Sequence, residues 1–250
     1  MLPFPLDEIP FVGDFIDYYN QAINFLSHWC GETIIQLETL KEIEITGSGD
    51  TTFDYVKIFT TFLIALFFSV VFFAFTIKKS KIKNFEKVVF TYARYYLALY
   101  LLSYGFAKFY DGQFMFPSID RLEQKIGDAS PMGLLWTFMG YSKTYTVFGG
   151  ICEVIGGILL FFRRTTLLGG LVSFMVMANI AVLNFSYDIP VKLFSIHLAL
   201  ISILIISPNI INLFQFFFLN KTIKLKIDQL QFQNKKLKNG RIVLKTFINS

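Results

Sequence analysis

Three ionisable residues of this 250-residue chain lie inside hydrophobic stretches: Arg94, Glu153 and His197. A charge held in hydrocarbon is costly unless paired, wetted or neutralised, so such positions mark chemistry or a tight structural contact. Arg94 is about six residues into its stretch, a depth of roughly 9 Å by helical rise. Its side chain reaches back to the headgroups by snorkelling. It reads either as an interfacial anchor or as the partner of a ligand carboxylate or quinone headgroup. Glu153 is eight residues into its stretch, roughly 12 Å deep, too far in to reach the surface. It must be protonated, paired or turned toward a wet pocket. His197 follows Pro190 by seven residues, which places it at a matched depth.

The neighbours of these residues suggest one chemistry. Gly149, Gly150, Gly156 and Gly157 flank Glu153, and small residues let a second helix approach closely or leave room for a flat ligand. The plain alternative makes Glu153 a neutral carboxyl donating one hydrogen bond across a tight helix contact. Tyr92, Tyr96, Tyr100 and Tyr104 recur at every fourth position and form a phenolic stripe running up to Lys108. Glu153, His197, Lys108, Tyr104 and Asn184 are expected to converge on one outward-opening cavity. That set holds a proton donor, a proton acceptor and a cation, as needed to bind a quinone carbonyl and move protons during its reduction. Glu153 and His197 are then the catalytic pair, and Arg94, Tyr104, Lys108, Asn184 and Lys192 bind the cofactor. The competing reading is a non-enzymatic scaffold or accessory subunit that docks a membrane or extracytoplasmic protein. A transporter has less support, because no internal repeat or pair of broken helices is visible.

Other chemistries fit poorly. One histidine within the spans does not supply two imidazoles to a b-type haem, and no ligand spacing marks a metal centre. The paired glycines at 149, 156 and 169 lack the preceding strand and the following Lys-Ser/Thr of a phosphate loop. No nucleic-acid motif is present. Cys30 and Cys152 form no Cys-x-x-Cys pair and read as isolated thiols.

The elements that must position these side chains are membrane spans. Hydrophobic stretches run from Phe59 to Ile77, Val88 to Lys108, Tyr145 to Phe162, Thr166 to Phe185 and Pro190 to Ser207. About 20 helical residues cross a hydrocarbon core of roughly 30 Å. The chain is 54% hydrophobic with 31 Phe, a composition that lipid tolerates and that would aggregate in water. The fold class is therefore an all-α integral membrane protein. Residues 1–56 read as an extracytoplasmic N-terminal region, and 57–77 as one transmembrane helix. Residues 88–219 read as the core with an extracytoplasmic loop at 109–144, and 220–250 as a basic cytoplasmic tail.

Charge sets the expected orientation. Lys78, Lys79, Lys81, Lys83 and Lys87 fill the first connection, Arg163 and Arg164 the third, and eight Lys and Arg residues the tail. The net charge of +5 thus comes from basic residues beside spans, which favour the cytoplasmic face. The N-terminal region is acidic, and Asp7 and Glu8 stand where a signal peptide would be basic. This reading gives five spans in a bacterial cytoplasmic (inner) membrane, with the N-terminus outside and the C-terminus in the cytoplasm. Phe11, Phe15, Tyr18, Ala22, Phe25 and Trp29 make an apolar stripe, interrupted by Asp14 and Asp17 around the helix. An interfacial helix and a sixth span both remain open for it. In the loop, Ser118 and the Ser130-Pro131 pair are candidate helix starts. The tail shows period-two patterning around Asn239-Gly240, consistent with a hairpin or a basic surface-lying segment.

The strings "RYYLALYLLSYGFAKF" at 94–109, "SPMGLLWTFMGYSKTYTVFGGICEVIGGILLFFRRTTLLGG" at 130–170 and "NFSYDIPVKLFSIHLAL" at 184–200 resemble the DoxX-like membrane proteins. The resemblance covers about 88–219, and "GSGDTTFDYV" at 47–56 resembles the longer bacterial members. It implies a four-helix transmembrane core plus one additional N-terminal transmembrane helix. The wider family includes subunits linked to thiosulfate:quinone oxidoreduction and to thiol redox stress, and many members of no known activity. The family pattern carries over onto Gly105, Lys108, Glu153, Gly156 and Gly157. The subgroup pattern adds Arg163, Arg164, Asn184, Asp188, Pro190, Lys192 and His197. None of these comes with an established catalytic role. Longer relatives continue past a segment like "RIVLKTF" into a further hydrophobic stretch and domain, an extension that this reading expects to be missing here.

Overall fold

The computed structural model describes residues 12–37, 49–75, 79–110 and 112–225, and among these the secondary structure is helical throughout. The helices are α1 (Val12–Thr33), α2 (Thr52–Phe75), α3 (Lys79–Phe109), α4 (Ile119–Glu123), α5 (Pro131–Tyr141), α6 (Lys143–Phe161), α7 (Thr166–Ser186), α8 (Lys192–Ile206) and α9 (Ile210–Leu219). Short 3-10 turns lie at Ile126–Asp128 and Ser207–Asn209. The acidic residues Asp7, Glu8, Glu38, Glu42 and Glu44 and the tail from 226 onward, with its expected hairpin, lie outside the described residues.

Four helices are long and apolar enough to cross a bilayer: Thr52–Phe75, Lys143–Phe161, Thr166–Ser186 and the continuous run Lys192–Leu219. The chain is therefore a multi-pass membrane protein. Helix α3, at 31 residues, has the length to cross as well, but its first turns are lysine-rich. Pro208 does not stop the last run. It sits in the first turn of the 3-10 segment, where its missing N–H costs no helical hydrogen bond.

Helix α2 begins at Thr52, seven residues ahead of the hydrophobic stretch, because a local capping box starts it. The Asp54 carboxylate accepts from the Thr51 N–H and hydroxyl, both at 2.9 Å. In return the Asp54 N–H donates to Thr51 Oγ1 at 3.3 Å. Such reciprocal bonds satisfy amides that the first turn leaves open. Hydropathy alone missed these turns because they are polar.

Helices α3, α6, α7 and α8 close a ring, with α3 on α6, α6 on α7, α7 on α8 and α8 back on α3. Its centre is filled by Leu97, Leu101, Leu160, Met177, Leu198 and Ile205. The tyrosine stripe of α3 forms a continuous ring stack within this wall. Successive centroids are 5.9 Å apart for Tyr92–Tyr96, 4.8 Å for Tyr96–Tyr100 and 6.4 Å for Tyr100–Tyr104. Offset aromatic pairs at these separations are attractive.

Helix α1 packs on α2, but through a different face from the aromatic stripe. Ile23, Ser27 and Cys30 are buried, whereas Tyr18, Phe25 and Trp29 point away at 73%, 72% and 53% exposure. A small-residue face lets α1 approach α2 closely and leaves the rings for the lipid or its interface. Cys30 is buried and Cys152 half-buried, and both are free thiols.

The connection between α3 and α6 folds back over one end of the ring. Ser130 caps α5 by accepting from Gly133 N–H at 3.1 Å, with Pro131 in the first turn. Ser118 stands directly before α4 but makes no such bond. The fold-back is tight at Gly140, where a Cβ would lie 2.1 Å from the Met115 carbonyl oxygen, so only glycine fits without a shift. Phe114, Leu135, Met139 and Ile189 form a small second core beneath this cap.

Candidate functional site

A glycine pair builds the centre of the site. A Cβ on Gly105 would meet the Gly150 carbonyl oxygen at 2.8 Å, and one on Gly150 would meet the Gly105 carbonyl oxygen at 2.7 Å. Helices α3 and α6 thus touch backbone to backbone. Lys108 follows Gly105 by three positions and Glu153 follows Gly150 by three, so each lies on its helix's contact face. The crossing carries the two side chains together. Lys108 Nζ donates to Glu153 Oε1 at 2.9 Å and to Oε2 at 2.7 Å. Side-chain exposure is 7% and 2%, so this ion pair is buried. In a low-dielectric interior such a pair persists only because each charge answers the other.

The pair forms one wall of a cavity of about 110 Å³. Tyr104, Trp136 and Asn184 line it beside Lys108 and Glu153, together with Gln113. Asn184 also braces the α7–α8 turn, donating from Nδ2 to the Val191 carbonyl at 3.4 Å and accepting from Ile189 N–H through its own carbonyl at 2.9 Å. Gln113 was not singled out from the sequence, yet its Oε1 is buried with no hydrogen-bond partner. An unsatisfied buried acceptor is uncommon and asks for a donor. Apart from Tyr100 and Ser195, the rest of the lining is apolar, contributed by the cap and by α3, α7 and α8.

Four of the expected site residues, Tyr104, Lys108, Glu153 and Asn184, therefore line one cavity. The other three lie elsewhere. His197 is on another side of α8, edge-on to Tyr96 at 5.9 Å between centroids, and lines a second cavity. The expected single proton-handling cluster with Glu153 is thereby corrected. Ser195 and Leu198 face the first cavity, and the 100° step per residue turns position 197 away from both. Arg94 is buried near the start of α7, donating to Thr166 Oγ1 at 3.4 Å and lying 4.8 Å from the Tyr95 ring centroid. It precedes Lys108 by 14 residues, roughly 21 Å along α3, so it does not join a ligand at that end. Lys192 lines neither cavity. Its ammonium donates to Asp188 across the α7–α8 turn.

The second cavity, about 320 Å³, lies between α1, α2 and α8. The turn before α2 lines one end of it. Gly49 N–H donates to the Pro190 carbonyl at 3.1 Å. Asp50, in a left-handed conformation that aspartate tolerates (φ 61°), accepts from the Lys192 N–H and, at 3.1 Å, from that of Leu193. These two amides are among those that the first turn of α8 leaves open. The string at 47–56 is thus partly a clip between the start of α2 and the start of α8.

Among the described residues no group of three or more His, Cys, Asp and Glu side chains stands ready to hold a metal ion. No family model matches the chain, and no solved structure matches it. Over 101 residues it is 35% identical to the uncharacterized protein YwoB of Bacillus subtilis (strain 168). That stretch is 40% of this chain and 62% of YwoB, so the chain spans less than two thirds of this relative's length.

Proposed function

We propose that this chain is a redox component of a bacterial cytoplasmic membrane that binds the headgroup of a quinone or similar lipid-soluble carrier in the cavity beside Lys108 and Glu153. The observation that carries the reading is a buried ion pair in the wall of a mostly apolar cavity that also holds the unpartnered Gln113 Oε1. A cavity of about 110 Å³ is of the order of the ~150 Å³ space known to admit one benzene ring. An ammonium has three N–H donors, and Glu153 takes two of those of Lys108. The third is available to a ring carbonyl, while Gln113 accepts from a ring hydroxyl. A quinone, when bound, supplies two-electron chemistry coupled to two protons. The chain orients the ring between Tyr104 and Trp136 and excludes water with its cap. Glu153 holds or releases a proton beside the Lys108 ammonium. His197 and Arg94 take no part at this cavity.

The DoxX-like resemblance belongs to the same proposal. The ring of α3, α6, α7 and α8 answers to a four-helix core, and α2 to the additional span. The basic connections and tail then face the cytoplasm, and the cap over the cavity faces outward. Cysteine labelling tests the orientation. Residues near Lys41 and Gln124 should react from outside, and residues near Lys81 and Lys236 only once the inner face is opened. Reversed labelling would move the cavity to the cytoplasmic side.

The carrier is tested by extraction. Protein purified in mild detergent should retain quinone at close to one per chain, and Lys108→Met and Gln113→Ala should each lower that ratio while the fold persists. Quinone-free wild-type protein, with no quinone-dependent redox activity, would sink the reading. One observation favours the second reading, an accessory subunit that docks a protein partner. Helix α2 packs on α1 and otherwise presents Phe62, Phe67, Phe68 and Phe73 outward. Crosslinking in native membranes should then recover one reproducible partner, whereas a chain that crosslinks to nothing counts against it.

A further inference from the structure

The second cavity carries charges that the first does not use. Its titratable lining residues are Asp50, Asp54, Lys57, His197 and Tyr19, and its apolar lining includes Ile23, Ile58 and Phe194. Asp50 is committed to the amides of α8. Asp54 holds Thr51 through Oδ2, and its Oδ1 makes no hydrogen bond among the described residues. Lys57 follows Asp54 by three positions, about one turn further along α2, and its ammonium has no hydrogen-bond or ion-pair partner among the described residues. The imidazole of His197 has no hydrogen-bond partner there either; its ring contact is with Tyr96.

These groups are layered. Asp50 and Thr51 are consecutive residues that cap α8 and α2, so the two helices start at one level. Lys57 follows the first residue of α2 by five positions, and His197 follows the first residue of α8 by five. Each is then roughly 7.5 Å along its helix from that level. Along α2 from the end of the bundle inward, the order is the Asp54 carboxylate, the Lys57 ammonium, Ile58 and the Thr61 hydroxyl, while on α8 Phe194 lies about one turn outward of the His197 imidazole.

The geometry points to a binding site for one phospholipid of the surrounding bilayer that carries a primary-amine headgroup. Read from the surface inward, such a lipid presents an ammonium, a phosphate, glycerol ester oxygens and acyl chains. The amine donates to Asp54, the phosphate accepts from Lys57, His197 donates to an ester oxygen, and the chains leave along Ile58. Side chains three apart on a helix have Cβ atoms about 5–6 Å apart, which suits an amine and phosphate joined by two carbons. An anionic headgroup without the amine meets two carboxylates at the entrance. A choline headgroup has no N–H to give Asp54.

The test is the lipid that the full chain keeps. The protein is placed in nanodiscs holding equal parts phosphatidylethanolamine, phosphatidylglycerol and phosphatidylcholine, then released and weighed by native mass spectrometry. The expected result is one phosphatidylethanolamine per chain, about tenfold over either competitor, a difference of about 1.4 kcal/mol. Lys57→Met should lower retention about tenfold, and Asp54→Asn should erase the preference over phosphatidylcholine. Ile58→Trp, which fills the cavity and leaves the charges in place, should expel the lipid. If Asp54→Asn unfolds α2, the Ile58→Trp result decides alone. Bound lipid in the ratio supplied, or retention that Lys57→Met and Ile58→Trp leave unchanged, overturns the assignment.

Discussion

The two cavities share parts of α8, with Val191 and Phe194 in both walls, yet they treat charge in opposite ways. The first is capped by the α3–α6 connection, and its lysine and glutamate neutralise each other at hydrogen-bond distance. The second lies at the side of the ring, and among the described residues its lysine and histidine line the space with no hydrogen-bond partner for their side chains. In the first, charge is part of what holds the helices together. In the second, the helix starts are held by Asp50 and Asp54 instead, which leaves Lys57 and His197 free for something the chain itself does not provide. Stability and lipid binding at the second cavity should therefore respond to different substitutions.

The largest effect should come from breaking the buried pair. Glu153→Gln leaves the Lys108 ammonium enclosed without its countercharge, which costs about 3–5 kcal/mol for a truly buried pair. Lys108→Met should cost a similar amount. Replacing both residues with apolar side chains of similar volume should recover much of the loss, since the pair's own desolvation disappears with it. Denaturant unfolding of all four proteins in one detergent checks this. A Glu153→Gln protein as stable as wild type would show that the carboxyl is a neutral packing donor.

Next comes the crossing that makes the pair possible. Gly150→Val places new carbon atoms where the Gly105 carbonyl oxygen and the Lys108 Cβ already stand, at 2.7 and 3.1 Å. Because the nearest of these atoms is backbone, the helices must separate. Overpacking of this kind costs about 1–3 kcal/mol and should also loosen the ion pair. Gly149→Val is the control: a Cβ there meets nothing within 4 Å, so the melting temperature should hardly move. Equal effects at 149 and 150 would remove the crossing from the argument.

What could be read in advance follows the range of the signal. Apolar runs announced four of the five expected spans, because span length is a property of consecutive residues. The tyrosine ladder and the Ser130-Pro131 start of α5 were legible for the same reason. Lys108, Glu153, Tyr104 and Asn184 converge as their matched depths suggested. Depth alone says nothing about direction, and α8 is apolar around most of its circumference. Nothing in its pattern told which side of His197 would meet α2. Arg94 was taken with a site at the far end of its own helix because a lone arginine in a span looks like a ligand contact. Its buried position beside Thr166, at the start of α7, joins residues 72 positions apart. Gln113 lies on a connection, where no periodicity points anywhere. The clip at Asp50 joins residues 142 positions apart, and no local pattern encodes that contact.

That clip gives the third test. Asp50→Ala removes the acceptor for two amides of α8 and should cost about 1–2 kcal/mol, in the range of a lost helix cap. It should also loosen the carboxylate end of the second cavity while leaving the Lys108–Glu153 pair intact. Hydrogen exchange resolved by peptide reads both effects. Faster exchange at 192–195 with unchanged exchange at 105–110 is the expected pattern, and faster exchange at both would mean that the two regions are one cooperative unit.

The smallest change in stability should come from Lys57→Met, and it separates the two cavities most cleanly. The substitution keeps an unbranched side chain of similar length and helix propensity, and removes only the ammonium. Since that ammonium has no ion-pair partner among the described residues, unfolding in a lipid-free detergent should shift by less than about 0.5 kcal/mol. In nanodiscs containing phosphatidylethanolamine the wild-type protein gains stability from any ligand that binds only the folded state, and the variant should lose that gain. The Lys57→Met protein should therefore match wild type in detergent and fall below it in lipid. Glu153→Gln should fall below wild type in both. A Lys57→Met protein weakened equally in detergent would place Lys57 among the residues that hold the fold, and the contrast between the two cavities would close.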